Sequence, residues 1–203
     1  MRIAIELNGV LRDTLKKVQQ EYEKWYLNET WIELKLVSND PEIERKVLSD
    51  LTSLDIRKHL EFKSDDELYD FLYKEHTMEI FGHAGSVEVS SMYDLNDFYY
   101  DVRDLHDVLI VSDEIGKSKP ASLFFISKFG CQIEEIKFYS EMTLNSMWNS
   151  IDVLLTANPK LLLNCPEDKI VIKFESSYNK DIEMKHSISS LKELKNKIQE
   201  IYA

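Results

Sequence analysis

The sequence predicts an α/β fold, a parallel sheet flanked by helices with a helical insertion after the first strand. Three observations carry that prediction. Residues 107–112 (DVLIVS) are apolar almost throughout, which suits a parallel strand buried on both faces. Downstream of them, short apolar strands alternate with single helices, an order that implies right-handed crossovers into a doubly wound sheet. Upstream, residues 15–104 show helical periodicity and no strong strand of their own.

The chain opens on Ile3, Ala4, Ile5 and Leu7, closed by Asn8-Gly9, which reads as a buried strand running into a turn. Open α/β sheets place ligand chemistry at the carboxyl ends of such strands, and here that end carries Glu6 and Asn8. Residues 11–26 form a helix, because Leu11, Leu15, Val18, Tyr22, Trp25 and Tyr26 recur at steps of three and four. An extended segment over 31–37 follows. Asp40-Pro41 then starts a short helix to about residue 51, since Asp caps and Pro tolerates the first helical position. Ser64 and Glu67 have capping-box spacing and open a helix over 65–74.

Residues 81–85 break the pattern, and 93–104 resume it with Leu95, Phe98, Tyr99 and Val102 on one side. After the strand 107–112, a loop carries Lys117 and Lys119. Pro120 opens a helix to 129 with Leu123, Phe124, Ile126 and Phe129 inward and Gly130 at its end. Strands follow at 136–139, 151–155 and 169–174, and helices at 144–149, 158–163 and 188–201. This order divides the chain into a core of residues 1–14 and 105–203 and an insertion of residues 15–104.

Length and composition agree with that layout. A chain of 203 residues, 43% hydrophobic and 11% aromatic, buries a sizeable core and is not disordered. The net charge of −12 opposes nonspecific binding to nucleic acid or anionic membranes. Cys131 and Cys165 are too few for a disulfide framework and are expected reduced and buried. The amino terminus lacks a signal-peptide pattern, and no run nears the ~20 apolar residues that span a bilayer. A cytoplasmic location is expected, or the virion or host cytoplasm for a viral protein.

The segment MRIAIELNGVLRDT resembles the first motif of the haloacid dehalogenase (HAD) superfamily, DxDGV/T, with Glu6 and Asn8 in place of the two aspartates. The strand ending in Ser112 resembles the second motif, where a Ser or Thr binds a phosphoryl oxygen. The strand ending at Leu155, followed by Thr156-Ala157-Asn158-Pro159, is similar to the fourth, whose usual form is two acidic residues and then Asn-Pro. The nearest resemblance is to small deoxyribonucleotidase-like members, often encoded by bacterial viruses. It implies a HAD-like Rossmannoid sheet with a helical cap at residues 15–104.

The resemblance also implies a chemistry against which each position can be read. In active members the first aspartate attacks phosphorus, the second is the general acid and base, and a lysine and Mg²⁺ steady the charge. Glu6 keeps the charge, but its extra methylene displaces the attacking oxygen, and a misplacement of about 1 Å can cost ~10²-fold. Asn8 cannot exchange a proton. Thr156 and Ala157 replace the acidic pair, leaving Glu6 as a weak candidate for Mg²⁺, and no lysine lies in 147–150. Ser112, Asn8 and Gly9 remain phosphate-binding candidates.

These losses predict a catalytically inactive HAD-like protein with a binding, scaffold or structural role, acting through a protein partner or as a homo-oligomer. The alternatives are a weak Mg²⁺-dependent phosphatase or 5'-nucleotidase working through Glu6, and a noncatalytic sensor of a phosphate ligand. Local structure accounts for the same residues more simply. Glu6 is expected to bond loop amides, Asn8 its own turn, and Ser112 the turn after its strand. Arg12 and Asp13 are expected to pair locally and cap the first helix. Lys117 and Lys119 read as solvated loop residues. The spacing of His76 and His83 matches no metal-ligand pattern. Tyr22, Trp25, Tyr26, Phe71 and Tyr73 read as the core of the insertion.

Overall fold

The amino-terminal strand lies in the middle of the sheet. The computed structural model describes residues 1–27 and 50–202. Within them β1 (Arg2–Glu6), β2 (Asp107–Ser112), β3 (Glu135–Phe138), β4 (Val153–Thr156), β5 (Ile170–Phe174) and β6 (Ser187–Ile188) form a six-stranded sheet in the order β3-β2-β1-β4-β5-β6. Every pairing is parallel. Ile3 of β1 pairs with Val108 on one side and Val153 on the other. Ile3 and Ile5 pack into one apolar layer with Ile110, Leu155 and Ile172. Ala4 faces the opposite layer with Leu109, Val111 and Leu154. Burial on both faces explains why these strands read as continuous apolar runs.

Helix α1 (Thr14–Tyr22) starts three residues later than the periodicity suggests. The amides of Leu11 and Arg12 both donate to the Leu7 carbonyl, at 3.1 and 2.9 Å, and close a turn first. Asp13 then caps the helix by accepting from the Lys16 amide at 3.3 Å. The helix runs on as a π turn, Glu23–Leu27. The extended segment expected over 31–37 and the helix start at 40–41 lie outside the described residues.

Helix α2 (Asp65–Asp70) is capped by Ser64, as its spacing predicts, and continues as a π turn over Phe71–Glu75. A second π turn, Met78–Gly82, carries helical structure to the expected break. Helix α3 (Ser91–Val102) and helix α4 (Ser118–Lys128) flank β2. α4 begins before Pro120, where the Ser118 hydroxyl donates to the Ile115 carbonyl at 2.6 Å and accepts from its amide at 3.0 Å. Leu123 and Phe124, expected inward, are exposed. Ala121, Ser122, Phe125 and Ile126 form the buried face instead. Helices α5 (Leu144–Trp148) and α6 (Pro159–Leu163) connect the strands β3 to β4 and β4 to β5.

The helix expected over 188–201 divides into β6, a 3-10 turn Leu191–Glu193 and α7 (Leu194–Tyr202). Ser190 and Glu193 form a reciprocal capping box at that break, the same spacing that marks the start of α2. It shows that the helix cannot begin at 188.

Val18, Tyr22, Leu51, Ile56, Leu60, Phe71, Ile80 and Phe81 build a further cluster together with Ala121 of α4, with Trp25 and Tyr73 packed against it. The side chain of Tyr26 lies outside the described residues. Met92, Leu95, Phe98 and Val102 of α3 join the sheet cluster. His76 packs on Trp25 and Phe71, and His83 on Phe124. Both cysteines are free thiols, half-buried rather than enclosed. Among the described residues no helix is long and apolar enough to cross a membrane.

Candidate functional site

The carboxyl ends of β1, β2 and β4 face a cleft of about 510 Å³, lined also by Leu15 and Val18 of α1, the segment 54–57, and Leu68 and Leu72. This is where a parallel sheet offers side chains to a ligand. Glu6, Asn8 and Gly9 line it, as the sequence predicts.

Glu6 closes β1 and is buried, with 1% of its surface exposed. The Tyr139 hydroxyl donates to Oε1 at 3.0 Å, and the Thr156 hydroxyl donates to Oε2. Its partners are thus two side-chain hydroxyls from the ends of β3 and β4, not the loop amides expected from sequence. Burial pushes the carboxyl pKa up to about 8, and the charge of Asp113 adds to the shift. The hydrogen bonds of Thr156 and Tyr139 oppose it without cancelling it. The group is therefore mostly uncharged at neutral pH. Burial, with the nearby Glu6, also raises the Tyr139 pKa far above its usual range, so that hydroxyl stays a donor.

Asn8 is held at both ends. Its Nδ2 donates to Asp113 Oδ1 at 2.9 Å, Glu114 Oε1 at 3.2 Å and Ser112 Oγ at 3.3 Å. Its Oδ1 accepts from Arg12 Nη2 and Thr14 Oγ1, both at 2.6 Å. Arg12 does not pair with Asp13. It is fully buried and ion-paired with Glu114. It also donates through Nη1 to the Phe81 carbonyl at 2.6 Å and to Ser122 Oγ at 2.7 Å. Phe81 and Phe125 flank the guanidinium at 5.2 and 5.5 Å. A guanidinium satisfies this many acceptors in one plane because its donors are fixed in a fork.

Ser112 lies beneath this network. It is fully buried, accepts from Asn8 and donates to Glu114 at 3.2 Å. The phosphate candidate of the sequence reading thus forms part of the support under the cleft. Asp113 opens onto the cleft itself. Protein packed around it raises its carboxyl pKa, and the Asn8 hydrogen bond opposes the shift. Lys117 and Lys119 do not line the cleft, and the Lys119 ammonium sits 5.7 Å from the Phe138 ring.

Tyr178, which the sequence reading did not single out, covers the first turn. Gly9 has φ +77°, and a Cβ there would lie 2.0 Å from the Tyr178 hydroxyl and 3.2 Å from Ala157 Cβ. The loop carrying Tyr178 is pinned by Asn179, whose Nδ2 donates to the carbonyls of Ala157 and Phe174 at 2.9 and 2.8 Å. Gly9→Ala is expected to lower the unfolding free energy by about 1–3 kcal/mol, through left-handed backbone and displacement of Tyr178. Urea denaturation measures this, and the sequence resemblance alone gives no reason for the tyrosine to move.

The donor set does not suit Mg²⁺. Both Glu6 oxygens face hydroxyl donors, Glu114 holds Arg12, and Asn8 Oδ1 is shared by Arg12 and Thr14. At the strand ends this leaves Asp113, whose Oδ1 already accepts from Asn8, and Mg²⁺ requires near-octahedral oxygen ligation. Among the described residues there is no group of three metal-ligating side chains.

Comparison with solved structures identifies the fold. The chain superposes on a haloacid dehalogenase-like hydrolase from Burkholderia xenovorans LB400 with a TM-score of 0.58 and 9% identity, covering 100% of this chain and 98% of that one. A HAD-superfamily hydrolase of subfamily IA from Geobacter sulfurreducens PCA gives 0.56 and 7%, with 96% and 97% covered. The L-2-haloacid dehalogenase from Xanthobacter autotrophicus, with chloropropionic acid covalently bound, gives 0.53 and 10%, with 98% of each chain covered. No protein-family profile and no curated protein sequence matches this chain. Likeness at such identities is likeness of fold.

Proposed function

On the premise of a haloacid dehalogenase-like fold, we propose that this chain is a noncatalytic binding domain. The state of Glu6 carries the reading. A carboxylate nucleophile has to be ionised and free to approach its target. The Glu6 carboxyl is buried, both its oxygens are taken by the Tyr139 and Thr156 hydroxyls, and burial pushes its pKa up to about 8. Asn8, at the position of the acid and base, has no titratable proton and is fixed by Arg12 and Thr14. What the network does hold in place is the floor of a cleft, which suits recognition.

The phosphatase and phosphate-sensor readings require the cleft to attract an anion. With Glu6 protonated and Glu114 paired with Arg12, its lining still carries Asp13, Asp55, Asp113 and Glu175 against one basic residue, Arg57. That balance repels phosphate.

The test is release of phosphate from p-nitrophenyl phosphate and a nucleotide panel with Mg²⁺, and release of chloride from 2-chloropropionate. No release above background is expected from the wild type or from Glu6→Gln. Turnover in the wild type that disappears in Glu6→Gln would overturn the reading.

A further inference from the structure

We propose that the cleft binds a small organic ammonium ion, its charge at the Asp113 end and its apolar body along the wall formed by the insertion. The inference rests on the noncatalytic reading and names the ligand class for the same site.

Charge balance inside the cavity is the first observation. Glu114 is neutralised by Arg12, and Arg57, the cleft's one basic residue, is paired with Asp65 outside the lining. Asp13 is occupied in capping α1. Asp55, Asp113 and Glu175 also line the cleft, and among the described residues none of the three has an ion-pair partner. A concave site with low-dielectric walls focuses such uncompensated charge and concentrates cations.

The shape and chemistry of the wall are the second, independent observation. A volume of about 510 Å³ falls in the range of small-molecule sites, which are mostly apolar with a few placed polar groups. Leu15, Val18, Ile56 and Leu72 supply the apolar surface, and Tyr73 and Tyr178 supply aromatic rings. Rings beside carboxylates favour an ammonium twice, by charge and by the π face. A bare metal ion or methylammonium leaves that wall unfilled.

Asp113 is set for the contact. Asn8 Nδ2 holds Oδ1 at 2.9 Å, so the carboxylate is oriented before a ligand arrives. Pre-orientation removes part of the ordering cost of binding.

Titration calorimetry with 2-phenylethylamine as the probe tests the proposal, beside phenylacetate, methylamine and MgCl₂ at matched ionic strength. The expected result is saturable binding of 2-phenylethylamine, at least tenfold weaker binding of methylamine and none of phenylacetate. Asp113→Asn, which keeps an acceptor for Asn8, should weaken the amine about tenfold, and Glu175→Gln should weaken it less. Circular dichroism confirms that both variants are folded. The proposal is overturned by equal or tighter binding of phenylacetate, by Mg²⁺ displacing the amine at equal concentration, or by unchanged amine affinity in folded Asp113→Asn. Each of these leaves the noncatalytic reading standing, whereas turnover in the phosphate or chloride assays removes that reading whatever the amine does.

Discussion

Replacing Arg12 by methionine is expected to lower the unfolding free energy by about 3–5 kcal/mol, read as a shift in the urea midpoint. Arg12 and Glu114 are both buried and paired, so the substitution strands a carboxylate in the interior. It also takes the donors from the Phe81 carbonyl, Ser122, and the Asn8 and Thr14 side chains. Arg12→Lys should recover only part of the loss, because an ammonium cannot reproduce the planar fork. The double variant Arg12→Met with Glu114→Leu should be more stable than Arg12→Met alone, since removing both charges lifts the cost of an unpaired one. A loss below about 1 kcal/mol in the single variant would place the pair in the class of weak surface bridges.

Stability should fall as pH rises from 5 to 8, and Glu6→Gln should remove most of that slope. Folded Glu6 holds its proton to about pH 8, against the ordinary 4.5 of a free glutamate carboxyl. Between those values the folded state binds one more proton than the unfolded state, so the unfolding free energy drops by about 1.4 kcal/mol per pH unit. The contribution is fully present below the unfolded pKa and is lost as pH passes through the folded one. Urea midpoints of the two proteins at successive pH values give a difference curve in which groups common to both cancel. Relative to the wild type, Glu6→Gln should gain on the order of 4 kcal/mol across the window. A flat difference curve would mean that Glu6 is ionised at neutral pH, and with it would go the main support for a noncatalytic site.

Much of the fold was legible in local pattern. The strand over 107–112 and the short helix after Asn158-Pro159 lie where the apolar run and the cap place them. Misplaced boundaries have specific causes. α1 starts late because Leu7 accepts two amides in a turn that periodicity does not register. The inward face of α4 is shifted because Ser122 faces Arg12, and a serine carries no apolar signal in the sequence. β6 is two residues long and exists through its pairing with β5.

The site was legible at Glu6, Asn8 and Gly9 because a strand end followed by a glycine turn is a local feature. Asp113, Glu114, Tyr139 and Tyr178 reach the same place by tertiary packing, from loops that a single sequence does not bring together. Glu114 could have been suspected, since a buried Arg12 requires a buried partner. Nothing in the linear order signals that Tyr178 lies over Gly9.

The position of β1 between β2 and β4 has a consequence for how the chain is made. Its residues leave the ribosome before either of the strands that flank it, and Ile3 finds its partners at Val108 and Val153. Until translation passes those residues, the buried apolar residues of β1 have no native strand neighbour. Pairing over such separations is slow and leaves unpaired strand edges open to other chains. Early-stalled nascent chains should accordingly be trapped by chaperones through Ile3, Ile5 and Leu7, and released once the β4 segment has emerged.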